Sequence, residues 1–232
     1  MLSWTMYVLT FPESIPANWY LQVYFWTTIR KNKNLYHPSR GITEEDVTKI
    51  LQKHVIVDQE PAKAESAMLA LSGIKKFHDG LKTDAEKKDF REHLRRYVNI
   101  YCTDCPWEVS TTNRYTVVTQ EAAVTARRDI KRGETIKYLC GVQVVLTDQD
   151  EENIKVSKRD FSVVVSSRSK TSSLFLGPAR FANHDCDANA RLKATGNSGM
   201  EIVAYVPIYE GEEITVSYGT FLAMHSSLIL AY

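Results

Sequence analysis

The sequence reads RFANHDCDAN over residues 180–189 and, about twenty residues later, GEEITVSYG over residues 211–219. The first stretch concentrates amide, imidazole, carboxylate and thiol groups within a few positions. The second begins with a glycine, continues through the β-branched run 214–216 and ends on Tyr218 and a second glycine. Either stretch alone is a weak signal, but a third, EAAVTARRDIKRGETI at residues 121–136, precedes them. Three such stretches in this order argue against chance.

The region around these stretches has the pattern of a β domain. Turn formers such as Gly133 and Gly211 separate several of its β-branched runs, which cover residues 115–118, 136–139, 142–146, 161–165, 202–206 and 214–216. It contains no glycine-rich dinucleotide fingerprint after a strand and no phosphate-binding loop. The pattern therefore disfavours a Rossmann-type methyltransferase and a P-loop enzyme.

Residues 43–102 have a helical pattern instead. Thr43 with Asp46 three residues later predicts a capped amphipathic helix, and a second apolar stripe over residues 64–74 predicts another, weakened at Gly73. The run TDAE beginning at Thr83 matches a capping box, and the apolar residues from Phe90 onward recur at helical spacing. We expect these stripes to be core packing surfaces.

The composition is that of an ordinary soluble globular protein, with 44% hydrophobic and 25% charged residues. A net charge of +1 gives no global reason to expect nucleic-acid binding. Four scattered cysteines do not form a disulfide framework, which favours a reducing compartment. The sequence has no apolar run long enough to predict a membrane span, and its first residues lack the basic start of a signal peptide.

The three stretches resemble the signature motifs of the SET-domain lysine methyltransferases. In that family the Asn-His pair lines the S-adenosylmethionine pocket, and the closing tyrosine stands where the methyl group passes from sulfur to the lysine nitrogen. Taken alone, His184 has a structural reading as a hydrogen-bonded histidine, and Tyr218 has one as a core tyrosine at a strand end. The intact motifs favour the functional reading of both.

A wider resemblance, from about residue 20 to 219, is to the fungal branch of the Suv4-20-type enzymes, which methylate lysine 20 of histone H4. It rests on segments 24–31, 36–41, 93–97, 112–115 and 174–181. It implies an α+β fold: an N-terminal helical domain over residues 1–105, packed on a SET domain over residues 106–219 with several small sheets and a pseudoknot-like C-terminal loop. Residues 220–232 form a divergent tail.

Carried over residue by residue, the resemblance implies a set of site residues. Tyr218 is the expected catalytic residue, because a tyrosine hydroxyl can orient the amine. The strand from Phe161 is expected to bind the histone peptide through Phe161, Ser166 and Ser167, since an extended peptide can add to a strand edge. The expected cofactor-binding residues are Arg40, Tyr115, Glu121, Ala122, Ala123, Val124, Asn183 and His184.

The resemblance weakens after Gly219. The related enzymes continue into a cysteine-rich segment whose three cysteines share one zinc ion with the cysteine that corresponds to Cys186. Residues 220–232 contain no cysteine, and a structural zinc site needs four nitrogen or sulfur ligands. Cys186 is therefore a metal ligand whose partners are absent from this sequence. We expect the chain as written to bind S-adenosylmethionine less tightly and to turn over weakly.

The sequence thus predicts a nuclear, chromatin-associated histone-lysine methyltransferase that uses S-adenosylmethionine. Its expected partner is the histone H4 tail in nucleosomes, without sequence-specific nucleic-acid binding and without a membrane. Two alternatives stay open. One is a catalytically silent SET domain that binds a chromatin protein, and the other is a methyltransferase for a lysine outside the histones, because fold does not determine substrate.

Overall fold

The structure is a computed structural model that describes residues 41–114, 121–148 and 171–217, together with the backbone of 163–166 and 221–223. The chain divides into two compact units whose sequence boundary lies between Cys105 and Pro106. The first is helical and the second consists mainly of strands. The α+β class expected from the sequence is confirmed.

Among the described residues, the helical unit has four α-helices. They are α1 (Glu44–Ile50), α2 (Pro61–Ala70), α3 (Ser72–Asp79) and α4 (Asp84–Val98); a π-helical stretch, Leu51–Val57, extends α1, and a 3-10 turn, Asn99–Tyr101, follows α4. The helix predicted from Thr43 begins there, because its side chain accepts the Asp46 N–H. The capping box at Thr83 is also confirmed: its hydroxyl accepts the Glu86 N–H, while Glu86 accepts the Thr83 N–H.

The single helix predicted over residues 64–74 is wrong in one respect, because the chain breaks at Leu71. Leu71 is extended, with ψ of 131°, and separates α2 from α3. The new helix start is held from elsewhere: Ser72 Oγ and Gly73 N both donate to the carbonyl of Gly41, at 3.0 and 3.2 Å. The periodicity of apolar residues cannot predict a hydrogen-bond partner this distant in sequence.

The core of the helical unit lies along one face of α4, as its spacing predicts. Phe90, Leu94, Tyr97 and Val98 are almost completely buried. The one buried carboxylate on α2, Glu65, forms a two-point ion pair with Arg95 of α4, at 2.7 and 3.2 Å. Apolar packing and this pair together join α2 to α4.

The strands of the second unit form two sheets within the described residues. A two-stranded sheet pairs β1 (Trp107–Thr112) with β2 (Glu121–Ala126). The other has eight strands in the order β10-β4-β5-β3-β8-β7-β9-β6. Those strands are β3 (Thr135–Val145), β4 (Val163–Ser166), β5 (Ser172–Leu176), β6 (Asn183–His184), β7 (Ala190–Thr195), β8 (Gly199–Ala204), β9 (Thr215–Val216) and β10 (Phe221–Ala223).

Strand β3 joins two runs that the sequence separates. Residues 136–139 and 142–146 were expected as two strands, but the backbone continues through Cys140 and Gly141, which pair with Glu201 and Met200 of β8. The irregularity is absorbed at Tyr138, which has a positive φ of 65°, within a shift of register.

No helix among the described residues has both the length and the apolar character needed to cross a membrane.

Candidate functional site

The two C-terminal sequence stretches interlock in the sheet. Residues 183–190, here called the loop segment, run from β6 to β7, and residues 211–217, here called the inserted segment, contain β9. Strand β9 lies between β6 and β7 and is parallel to both: Asn183 pairs with Thr215, His184 with Val216, and Ala190 also with Val216. The inserted segment therefore passes between the two ends of the loop segment, which gives the pseudoknot-like arrangement that the resemblance implied.

A glycine turn delivers the chain to β6. Gly177 has a φ of 95°, and a Cβ atom on it would lie 2.8 Å from the carbonyl oxygen of Cys140 and 2.9 Å from the Cα of Gly141. Any larger residue would therefore clash with the β3 backbone. The 3-10 turn Pro178–Phe181 follows at once and directs Asn183 toward β9.

Asn189 fastens the inserted segment to the loop segment. Its Nδ2 donates to the carbonyl of Glu213 at 2.8 Å, and its Oδ1 accepts the N–H of Thr215 at 2.9 Å. Its own carbonyl accepts the N–H of Tyr205 at 2.7 Å. One side chain thus satisfies a backbone donor and a backbone acceptor that flank Ile214, and both groups would otherwise lack partners.

The other edge of the inserted segment pairs with β2. Ile214 N donates to the carbonyl of Val124 at 2.7 Å, and Ala126 exchanges hydrogen bonds with Gly211 and Glu212. This brings the predicted cofactor-binding residues of β2 next to the second motif. Ala123 and Val124 are buried at 1% and 0% exposure, so their contribution toward a ligand is limited to the backbone.

The amide of Asn183 connects β6 to β2. Its Nδ2 donates to the carbonyl of Ala122 at 3.1 Å and to Oε1 of Glu213 at 2.9 Å. Its Oδ1 accepts no hydrogen bond from the part of the chain that the structure describes. Asn183 is half-buried and thus presents an amide oxygen as an available acceptor.

His184 is held by the strand beside it. Its Nδ1 lies 3.3 Å from the carbonyl oxygen of Val216, which only accepts, so Nδ1 carries the proton of this bond. In the neutral ring Nε2 is then the acceptor, 3.9 Å from the Sγ of Cys186. The imidazole is thereby fixed in orientation at a half-buried position.

A cluster of charged side chains borders Asn183. The guanidinium of Arg114 bonds Asp185 through Nη1, and its Nε and Nη2 each lie 3.3 Å from Oε2 of Glu213. Thr112 Oγ1 donates to the same oxygen at 3.4 Å. The N–H of Asp187 and then Arg114 lower the pKa of Asp185, while hydrogen bonding to Asp185 raises the pKa of Arg114.

The described residues do not form a zinc site. No three histidine, cysteine, aspartate or glutamate side chains within them are grouped so as to hold a metal ion. Cys186 is exposed, and the Nε2 of His184 lies 3.9 Å from its Sγ, so this pair supplies at most two of the four ligands of a structural zinc site.

The structure brings only some of the predicted site residues together. Ala122, Ala123, Val124, Asn183 and His184 come together around the inserted segment, while Glu121 and Ser166 are described by backbone alone, in β2 and β4. The predicted residues that lie outside the described part of the chain are Arg40, Tyr115, Phe161, Ser167 and Tyr218.

One premise about the peptide site needs correction. Strand β4 was expected to offer an edge to an extended peptide, but it pairs with β5 on one side and with β10 on the other. Phe221 of β10 stands opposite Ser166. Over residues 164–166 the edge of β4 is therefore taken, and a peptide cannot add there while β10 is in place.

Three residues of this site were not assigned by sequence reasoning: Arg114, Asn189 and Glu213. Asn189 and Glu213 lie inside the two quoted stretches, and Arg114 precedes the predicted residue Tyr115. The available signal for Asn189 and Glu213 was a polar or charged side chain within a quoted stretch. Their roles depend on partners that the sequence does not place next to them.

Comparison with known proteins agrees with this geometry. The family model described as the SET domain matches residues 22–219, most of the chain. An α+β protein with an interlocked C-terminal pair of motifs fits that class, and the chain belongs to the SET-domain family.

Curated fungal proteins are similar over the same region. Histone-lysine N-methyltransferase SET9 of Gibberella zeae is 64% identical over 197 residues, which are 85% of this chain and 30% of that protein. The protein of that name from Neurospora crassa is 60% identical over 195 residues, 84% of this chain and 25% of the relative. The one from Phaeosphaeria nodorum is 55% identical over 199 residues, which are 85% of this chain and 30% of that protein. The chain spans less than a third of the length of these relatives.

Proposed function

We propose that this chain transfers a methyl group from S-adenosylmethionine to a histone lysine, and that the lysine is residue 20 of histone H4 in nucleosomes. The observation that carries the proposal is the parallel pairing of β6 with β9. It holds Asn183 and His184 beside the strand that leads, two residues after Val216, to Tyr218. The names of the fungal relatives support the histone-lysine class, and the Suv4-20 resemblance supports lysine 20.

The residues around β9 suit a nucleoside ligand. Oδ1 of Asn183, to which no described residue donates, can accept a hydrogen bond from the amino edge of a base, and His184 offers an oriented ring. In the proposal Arg40, Tyr115 and the stretch from Glu121 to Val124 complete the cofactor site. The small side chains of Ala122 and Ala123 let a ligand approach the β2 backbone.

When bound, S-adenosylmethionine supplies an electrophilic methyl group: the lysine nitrogen forms the new carbon–nitrogen bond while the sulfur retains the electrons of the carbon–sulfur bond. The protein must align the two reactants and keep the amine neutral. Lysine has an ordinary pKa of about 10.4, which desolvation lowers. In the proposal the hydroxyl of Tyr218 orients the neutral amine, whose proton has passed to solvent.

The proposal assigns residues 106–219 as the catalytic domain, residues 1–105 as a helical domain that contributes to the cofactor site, and the nucleus as the location. Ser166, with Phe161 and Ser167, is proposed to contact the histone tail. Because β10 now pairs with β4 at Ser166, the tail must either displace β10 or bind through side chains alone.

Methylation of reconstituted nucleosomes tests the proposal. The purified chain, incubated with radiolabelled S-adenosylmethionine, is expected to label histone H4 and to leave H4 with arginine in place of its lysine 20 unlabelled. Tyr218→Phe should lower kcat about a hundredfold, the effect of misplacing a reactant. Tyr209→Phe is the matched control, because Tyr209 is 60% exposed in the strand unit.

Each contrary outcome points to a different function. Binding of the H4 tail without any transfer identifies a silent binding module. Labelling of H4 that lacks lysine 20, or of other proteins in an extract and not of H4, assigns a different lysine as the substrate.

A further inference from the structure

We infer that Arg114 is a positioning residue that acts through Glu213 to set the orientation of the Asn183 amide. The inference rests on the proposed function in one respect, since the ligand that Asn183 faces is taken to be S-adenosylmethionine. The contacts that support it all lie within the protein.

Arg114 binds both interlocked segments at once. Its Nη1 bonds Asp185 of the loop segment, and its Nε and Nη2 reach Oε2 of Glu213 in the inserted segment, each at 3.3 Å. A guanidinium presents its donors in a fixed planar fork, so both carboxylates are placed by one rigid group. Arg114 itself follows β1 and is anchored by its N–H to Thr112 Oγ1 at 3.2 Å.

Glu213 divides its two oxygens between different partners. Oε2 receives Arg114 and Thr112, while Oε1 receives Nδ2 of Asn183 at 2.9 Å. Because Arg114 holds one oxygen, the other is fixed toward Asn183. The carboxylate of Glu213 thus links the position of Arg114 to the orientation of the Asn183 amide. These three hydrogen-bonded side chains are here called the relay.

The relay determines which atom of the Asn183 amide stays available to a ligand. Nδ2 of Asn183 meets two acceptors, Glu213 Oε1 and the carbonyl of Ala122 at 3.1 Å. A flipped amide would bring its oxygen against both of these acceptors, which is unfavourable. Oδ1 must therefore point away from β2 and Glu213 as an acceptor. A ligand that donates a hydrogen bond is selected by this arrangement.

If the cluster had a purely structural role, its removal would lower stability more than cofactor affinity. The side chains of Arg114, Asp185 and Glu213 are 31%, 30% and 20% exposed, and ion pairs with this degree of solvent contact contribute little to stability. We therefore expect their removal to weaken cofactor binding far more than folding.

The test measures cofactor affinity and thermal stability in the purified 232-residue chain. Isothermal titration with S-adenosylmethionine and with S-adenosylhomocysteine is expected to show Kd raised about tenfold by Arg114→Ala and by Glu213→Gln, the size of one lost charge-assisted hydrogen bond. Arg114→Lys should recover part of the affinity, because it keeps the charge and loses the fork. The double variant should be no worse than the weaker-binding single one, since both act through one relay.

The matched control is Arg191→Ala, an exposed arginine on β7 outside the cluster, for which Kd should change less than about twofold. Tm should move by no more than about 2 °C in all these variants, and the Kd for an H4 tail peptide should stay unchanged. Equal cofactor affinity in wild type, Arg114→Ala and Glu213→Gln would overturn the inference.

Nuclear magnetic resonance of the cofactor-free protein separates this inference from the proposed function. The side-chain NH2 resonances of Asn183 should shift in Glu213→Gln and Arg114→Ala but not in Arg191→Ala. If wild-type protein binds no cofactor and these resonances still shift, the function is wrong and the relay stands. If the resonances do not shift, the relay is wrong whatever the cofactor does.

Discussion

The helical unit and the interlocked segments are held by different kinds of interaction. In the helices, side chains repeat at regular spacing and bury one face, as on α4, where Leu94 and Val98 are wholly buried. In the loop and inserted segments, single side chains bond to a distant backbone, as Asn189 does to Glu213 and Thr215. A helix can lose one contact and keep many others, whereas the site depends on a few hydrogen bonds without substitutes.

Removal of a core side chain from the helical unit should cost the most stability. Leu94→Ala removes a fully buried side chain from α4 and should lower the free energy of unfolding by about 2–5 kcal/mol through lost burial and the cavity left behind. Urea denaturation followed by circular dichroism measures it. Val57→Ala, at a side chain 74% exposed, should change stability by less than about 0.5 kcal/mol. Equal effects in the two variants would show that the helical face is not a core.

Breaking the interlock should come next in size. Asn189→Ala leaves the carbonyl of Glu213 and the N–H of Thr215 without the side chain that bonds them, at a cost of about 1–3 kcal/mol, because Thr215 is buried. Amide hydrogen exchange at Thr215 should quicken at least about fivefold, while exchange within α4 stays as in wild type. Asn197→Ala, in an exposed turn, serves as the control. Unchanged exchange at Thr215 would mean that β-sheet pairing alone holds the segment.

A helix cap is a side-chain-to-backbone bond that lies inside the helical unit. Thr83→Ala removes the acceptor for the Glu86 N–H and should cost about 1 kcal/mol in the same urea experiment. Ser66→Ala, at an exposed position within α2, should stay within about 0.5 kcal/mol of wild type. A cost for Thr83→Ala as large as that of Asn189→Ala would contradict the distinction drawn between the two regions.

The smallest expected effect is electrostatic. Asp187 N–H and Arg114 hold the pKa of Asp185 below its ordinary value of 3.8, so ionised Asp185 stabilises the fold above that pH and stops doing so as pH falls through the lowered value. Asp185→Asn should therefore be less stable than wild type at about pH 6, with a smaller difference at about pH 3. Urea midpoints at the two pH values measure it, and a difference that does not depend on pH would be inconsistent with the lowered pKa.

The helical unit was largely predictable from sequence because its signals are local. A cap and its partner lie three residues apart, and the α4 stripe repeats within 15 residues. The break at Leu71 was not predictable, since the groups that hold it bond to Gly41, 31 residues from Ser72. Strands β1, β5 and β7 were also missed, because they mix polar residues among the apolar ones and are defined by their partners.

The motifs of the site were predictable from sequence, but the hydrogen bonds between their side chains were not. Asn183 and His184 were predicted as site residues through the resemblance, and the structure pairs them with Thr215 and Val216 of the second motif. Arg114 and Glu213 are 99 residues apart, and Asn183 and Glu213 are 30 apart, so no spacing rule links them. Such contacts are a property of the completed fold. The expectation of an open β4 edge failed for the same reason, because β10 returns to that edge from a later part of the chain.

The position of β9 between β6 and β7 sets an order for biosynthesis. A ribosome makes Asn183 before Thr215, and at about 5–20 residues per second the interval is about 2–6 seconds. During that interval the loop segment has no strand to close around, and Asn189 has neither of its backbone partners. The nascent chain therefore cannot join the loop segment to the inserted segment until nearly all of the matched region has been translated. A chaperone that shields the loop segment would act within that short period.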